Sequence, residues 1–304
     1  MGKQNVDPAL WPLVESFPPI DLGPETLAGF RAAMVELSVV PDPASHPDIS
    51  IETVSIPAQR AAPGIRCLLY KPRLGATGAL LHIHGGGFVM GMPEMDAARN
   101  IELARATGCA ILSVDYRLAP EHPYPAALED CHAALVWLGA QAKVLGLPAG
   151  RIGLIGESAG GGIAAALAIL ARDRHSATLL CQVLIYPMLV PPAASIDNEA
   201  PDPRTGQYIW TRASNAYCWS AYQSGATVDK ARLAGLPPAF LAVGDLDLFV
   251  HDNLAHVGRL LAAGCPVEAH VYPGAIHGFD RMVDAPVSLR YTRELVAFIQ
   301  RHLG

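Results

Sequence analysis

Long apolar runs are what this sequence most clearly lacks. Nowhere do its 304 residues approach the roughly 20 uninterrupted apolar positions that a membrane-spanning helix needs. The segment from Met1 to Asp21 also lacks the basic-then-apolar pattern of a secretion signal. Stable membrane anchoring is therefore not expected, and a cytoplasmic location is. Charge is scarce as well: 16% of residues are charged and the net charge is −6. That balance leaves no basic footprint for nucleic acid or an anionic lipid surface, and points to a small-molecule partner. The six cysteines, Cys67, Cys109, Cys131, Cys181, Cys218 and Cys265, include no Cys-x-x-Cys pair. A zinc ribbon and a disulfide framework are thereby set aside, and the thiols are expected to be small buried apolar groups. Internal repeats and low-complexity tracts are absent too, which excludes a solenoid.

What is present is a chain rich in apolar residues (51%), with 28 glycines and 26 prolines, long enough for one large α/β domain with a small attached cap. Short apolar runs at 66–70, 79–84, 109–114, 151–155, 179–185, 239–243 and 267–272 read as strands. Helical patterns at 94–106, 126–145, 159–174, 249–263 and 288–303 alternate with them, the last placing Leu289, Thr292, Leu295, Val296 and Ile299 on one face. Strands that are apolar throughout and separated by helices call for a mostly parallel, doubly wound sheet covered on both faces. Ligands of such sheets sit at the carboxyl ends of the strands, so the residues just after each run carry the functional weight. Two regions fall outside the alternation and are expected to cover the site. Residues 1–47 form N-terminal cap helices opened by Asp7-Pro8 and Pro24, and residues 190–235 form a cap insertion within the catalytic domain, 48–304.

The chemistry gathers at three of those strand ends. Gly156-Glu157-Ser158-Ala159-Gly160 lies between a strand and a helix of small residues, the context of a nucleophile elbow. A tight turn there lifts the serine clear of its neighbours, and the helix N-terminus favours negative charge beside it. His84-Gly85-Gly86-Gly87-Phe88 ends an earlier strand, with glycine N–H groups unshielded by side chains, as an oxyanion hole requires. No Lys-Ser/Thr follows, which argues against a phosphate loop. His82 and His84 share a strand face, but the sequence offers no clear third metal ligand beside them. His277 follows the last strand in a Pro273-Gly274 loop and is the best placed of the histidines to serve as base, whereas His251 and His256 read as surface residues of a helix. The acid comes from Gly244-Asp245-Leu246-Asp247, after the strand 239–243. Side-chain direction alone does not choose between Asp245 and Asp247, because residues two apart in an extended segment face the same way.

Taken together with Asp115-Tyr116-Arg117-Leu118-Ala119-Pro120-Glu121, Gly235-Leu236-Pro237-Pro238 and His277-Gly278-Phe279, these motifs give a chain that over 60–304 resembles the hormone-sensitive lipase-like family of α/β-hydrolase carboxylesterases. The resemblance implies a triad of Ser158, Asp247 and His277, an oxyanion hole from the N–H groups of Gly85, Gly86 and Ala159, and no cofactor or metal. The implied substrate is a carboxylic ester, with short to medium acyl chains expected from a short, aromatic cap bearing Tyr208, Trp210, Tyr217, Trp219 and Tyr222. At the acid the family carries Asp-Pro-Leu-x-Asp-Glu where this chain has Asp247-Leu248-Phe249-Val250-His251-Asp252, and the stretch 225–235 is shorter than in the family. Alternatives are amide, lactone or carbamate hydrolysis by the same residues, or a non-catalytic binder, disfavoured because His277 is present. Oligomeric state stays open, with a homodimer among the options.

Overall fold

Eight strands make one sheet in the order β1-β2-β4-β3-β5-β6-β7-β8. In chain order they are β1 (Ile49–Ile56), β2 (Ile65–Pro72), β3 (Ala79–Ile83), β4 (Ala110–Val114), β5 (Ile152–Glu157), β6 (Cys181–Ile185), β7 (Ala239–Gly244) and β8 (Val267–Tyr272). The computed structural model describes residues 5–17, 19, 21–58, 64–198, 200–223 and 228–304. Part of the short stretch 225–235 therefore lies outside the described residues, at 225–227, as do residues 1–4, 18 and 20 of the N-terminal segment. Pairings from β3 through β8 are parallel, while β2 runs antiparallel to both β1 and β4. Every residue of β3, β4, β5, β6 and β7 is buried, as continuous apolar runs in a doubly covered sheet require.

The helices are α1 (Trp11–Ser16), α2 (Leu27–Leu37), α3 (Ala97–Thr107), α4 (Ala126–Gln141), α5 (Ala159–Asp173), α6 (Arg212–Tyr222), α7 (Val250–Ala262) and α8 (Pro286–Leu303). α3 packs with α8, and α4 with α5, on two separate cores that sandwich the sheet. From β3 the chain moves to β4 on one side, and from β5 onward it moves the other way. The switch point therefore falls between the carboxyl ends of β3 and β5, which places the His84 loop beside Ser158. Among the described residues no helix is long and apolar enough to cross a membrane.

The structure corrects several expectations. β1 was not expected: it is an edge strand with buried ends, Ile49 and Ile56, and an exposed middle at Glu52 and Thr53, rather than a continuous apolar run. α3 begins at Ala97, because Pro93–Asp96 forms a separate 3₁₀ turn. The buried side of α8 is Val287, Tyr291, Leu295, Phe298 and Ile299, whereas Leu289 is 51% exposed, so the expected face was rotated. His256 is buried in α7 rather than on the surface.

The two segments outside the alternation meet each other and the strand ends. Asp7 caps the short 3₁₀ turn Pro8–Leu10 through its side chain, and its N–H donates to Gly274 O at 2.9 Å. The Leu22 N–H donates to Ser214 Oγ of α6 at 2.9 Å. Arg31 of α2 donates to Val89 O (2.7 Å) and Ala119 O (2.8 Å), and forks onto Glu121 (2.7 and 2.8 Å).

Candidate active site

The elbow is built by backbone crowding. A Cβ added at Gly156 would sit 2.3 Å from Gly160 O, and one added at Gly160 would sit 2.0 Å from Ile83 O, so α5 approaches the sheet as closely as it does only with glycine at both positions. Ser158 takes φ +54° and ψ −118°, a strained conformation for a residue with a side chain. It is held there by its N–H to Ile185 O (2.9 Å) and by Gly162 N–H (3.0 Å) and Met188 N–H (2.9 Å) donating to its carbonyl.

His277 Nε2 lies 3.0 Å from Ser158 Oγ, and its Nδ1 lies 2.7 Å from Asp247 Oδ2. Asp247 is fully buried, and its second oxygen accepts the Phe249 N–H at 2.9 Å. Of the other acids near this edge, Asp245 Oδ1 accepts the Gly274 N–H at 2.7 Å and so braces the loop that carries the histidine. Asp252 turns away to accept the Ile196 N–H at 3.0 Å, and burial raises its carboxyl above the ordinary range.

The glycine loop lies against the nucleophile, for a Cβ on Gly85 would come within 3.5 Å of Ser158 Cβ. Among the described residues, no acceptor pairs with the N–H groups of Gly85, Gly86 or Ala159. Ala159 is the first residue of α5, where such orphan donors are expected. Gly86, at φ +116°, could carry a side chain only by driving it to 2.1 Å from Met90 O. The loop is clamped from below: Tyr116 stacks on His84 with centroids 4.1 Å apart and donates its hydroxyl hydrogen to His84 O at 2.8 Å. Burial lowers the His84 pKa, so the ring stays neutral between its contacts.

Aromatic rings close the site. Trp210 lies 6.1 Å and Phe249 5.4 Å from the His277 ring, while Phe88 stacks on Tyr222 at 4.0 Å and meets Trp219 edge-on at 5.1 Å. Tyr208 and Tyr217 are only partly buried, at the margins of the two cores. A cavity of about 160 Å³ adjoins Phe249, lined by Asp197, Arg212, Asn215 and Asp252. A larger one, about 530 Å³, lies by Arg172, His175 and Leu236 near the start of β6, at the end of the sheet opposite Ser158. All six cysteines are buried and unbridged, and burial pushes the Cys218 thiol up to about 12, so it offers no competing thiolate.

Beneath the serine, His82, Asp96 and Glu157 bring possible ligand atoms within 4.8 Å of one another, a grouping sequence spacing did not disclose. His84 is not among them. Arg99 already lies 2.5 Å from Glu157 and 3.3 Å from Asp96, and Arg281 3.5 Å from Asp96, so guanidiniums hold the positions a cation would take. Sequence reasoning also missed Arg99, Tyr186 and Asp280, which no motif marks.

Comparison with known proteins agrees with this fold. A family model described as alpha/beta hydrolase fold matches residues 80–281. Esterase LipI of Mycobacterium tuberculosis is 33% identical, over 91% of this chain and 88% of its own, and carboxylesterase NlhH of the same species is 31% identical, over 100% and 98%. Among solved structures, a bacterial heroin esterase superposes with a TM-score of 0.88 at 31% identity, covering 99% of both chains. An esterase of Pyrobaculum calidifontis does so at 0.85 and 30%, covering 97% and 98%.

Proposed function

The chain belongs to the α/β-hydrolase fold family, in its hormone-sensitive lipase-like branch, and from that premise we propose that it is a serine carboxylesterase working through an acyl-enzyme. The observation that carries this reading is the unbroken hydrogen-bond chain from Asp247 through His277 to Ser158, set beside N–H groups with no acceptor among the described residues. His277 Nε2 takes the proton of Ser158 Oγ as that oxygen attacks the ester carbonyl carbon. The resulting oxyanion accepts hydrogen bonds from Gly85, Gly86 and Ala159, each such donor being worth about 3–4 kcal/mol of barrier. Collapse expels the alcohol, which takes the proton from Nε2, and water then repeats the sequence on the acyl-Ser158 ester. Asp247 accepts the Nδ1–H throughout, fixing the tautomer and stabilising the imidazolium.

Residues 1–47 and 190–235 act as the cap in this reading. The enclosing rings of Phe88, Trp210, Trp219 and Tyr222 support short to medium acyl chains over long ones. Six unbridged thiols support a cytoplasmic, reducing location. The chemistry calls for no cofactor, no metal and no partner beyond the ester. The test is labelling by a fluorophosphonate, read by intact mass, beside turnover of p-nitrophenyl esters of graded length with amides and lactones in parallel. One adduct on the wild type and none on Ser158→Ala is expected. Equal labelling of both proteins overturns the assignment.

A further inference from the structure

Ser158 directly follows β5 and His277 follows β8, with β6 and β7 between them. Strands lie about 4.8 Å apart, so the loop carrying the base reaches across roughly 14 Å of sheet to meet the serine. A 3.0 Å contact over that span needs a tether, and the buried polar cluster below the site supplies one. Arg99 of α3 points its fork both ways: Nη2 lies 2.5 Å from Glu157 Oε1, and Nη1 lies 2.6 Å from Asp280 Oδ2. Glu157 is bonded to Ser158, and Asp280 is three residues past His277. The other oxygen of Asp280 accepts the Tyr186 hydroxyl hydrogen at 2.5 Å, and the Tyr186 ring lies against the His277 ring, centroids 4.6 Å apart. The other oxygen of Glu157 lies 3.1 Å from His82 Nε2, and His82 Nδ1 meets Ser113 Oγ at 2.8 Å and Asn100 Nδ2 at 3.3 Å. Tyr186 sits at φ +35°, strain that persists only where surrounding contacts over-determine it.

We infer that Arg99 is a positioning residue: by bridging Glu157 and Asp280 it fixes the nucleophile's strand end to the base's loop, with Tyr186 bracing the imidazole. The inference rests on Ser158 and His277 acting as proposed above. Two different nitrogens of the guanidinium meet the two carboxylates, Nη1 as a hydrogen bond to Asp280 and Nη2 as an ion pair with Glu157, and a lysine ammonium offers only one such point. Burial works against the Arg99 charge, and Glu157, Asp96 and Asp280 more than offset it, raising its pKa well above the ordinary value.

Charge and geometry separate in the test. His277 touches Ser158, Asp247 and Tyr186; the charged groups linked to these are Glu157 with His82, Asp96 and Arg99 on the elbow side, Asp280 and Arg281 in the turn after His277, and Asp245 on the loop's Gly274. Removing the cation at Arg99 favours the imidazolium, and removing the anion at Asp280 disfavours it. In Arg99→Met, kcat should fall about 10- to 100-fold, and the acidic limb of kcat/KM should move up by about half a pH unit or more. In Asp280→Asn the limb should move down. Arg99→Lys should keep the limb in place yet still lose kcat, because the charge stays and the fork goes. Melting curves accompany each variant. A merely structural cluster would lower the melting temperature and leave folded variants with wild-type kcat and unshifted limbs, and that result, or limbs moving in the same direction, overturns the inference. Should Arg99→Met not fold, Arg99→Lys and Asp280→Asn carry the decision by the same criteria. Failure of the serine reading is seen separately, as absence of a fluorophosphonate adduct on wild-type Ser158.

Discussion

Replacing Asp247 by asparagine tests the acid with the least change of shape. Its Oδ1 accepts the Phe249 N–H at 2.9 Å, and Oδ2 faces His277 Nδ1 at 2.7 Å. An amide keeps its oxygen on Phe249, because its NH₂ cannot accept there. The NH₂ therefore turns to Nδ1 and donates to it. That forces the ring proton onto Nε2, the atom 3.0 Å from Ser158 Oγ that must be free to take the serine proton. The base is thus present but in the wrong tautomer. The loss expected for such an exchange is about 10³- to 10⁴-fold in kcat, or roughly 4–5 kcal/mol of transition-state stabilisation. Asp245 meets the Gly274 N–H, and Asp252 meets the Ile196 N–H and the Ser195 hydroxyl, donors that an amide oxygen serves almost as well. Their asparagine variants should lose less than about tenfold. The assay is steady-state hydrolysis of p-nitrophenyl acetate by the three variants, with circular dichroism to verify folding. If Asp245→Asn is the crippled enzyme and Asp247→Asn retains most activity, the tautomer argument is wrong here and the acid lies two residues earlier.

Gly86→Ala should lose at least tenfold in turnover together with stability, since its Cβ would meet Met90 O at 2.1 Å; a fully active, fully stable variant would disprove the loop geometry. Butyrate esters should be turned over faster than long-chain triglyceride emulsions, and the reverse order in a chain-length series would contradict an enclosed aromatic site. Asp96 is held at about 2, burial opposing and Arg99 and Arg281 prevailing. Its folded pKa lies below the unfolded value, so it adds stability above about pH 4 that is lost as pH falls towards 2. Denaturant titrations of Asp96→Asn should therefore show a shallower loss of stability across that window than the wild type, and an unchanged slope would count against the ion cluster.

Much of the site was legible because its chemistry is local. The elbow, the glycine loop and His277 each sit just after an apolar run, and five contiguous residues declare the backbone crowding that Gly156 and Gly160 relieve. The choice of Asp247 over Asp245 was not local, for it depends on how the 244–247 turn aims two acids that alternation leaves equivalent. β1 escaped because an antiparallel edge strand, half wet, need not be the continuous apolar run that a doubly covered sheet demands, and Glu52, Thr53 and Ser55 break it. The α8 face was misplaced because Leu289 is apolar by composition yet exposed, while Tyr291 and Phe298 carry the contact. The Arg99 cluster has no signature at all: Glu157 and Asp280 are 58 and 181 residues beyond the arginine, and only the sheet order brings them together.

The clasp made by the N-terminal segment buttresses the site from outside. Arg31 holds the backbone just after the glycine loop, 58 residues downstream, and Leu22 meets Ser214 across 192 residues. Both contacts close long loops of chain, whose ordering entropy must be met before they form. Undocking this segment would therefore loosen the oxyanion loop while leaving the sheet and its nucleophile elbow in place.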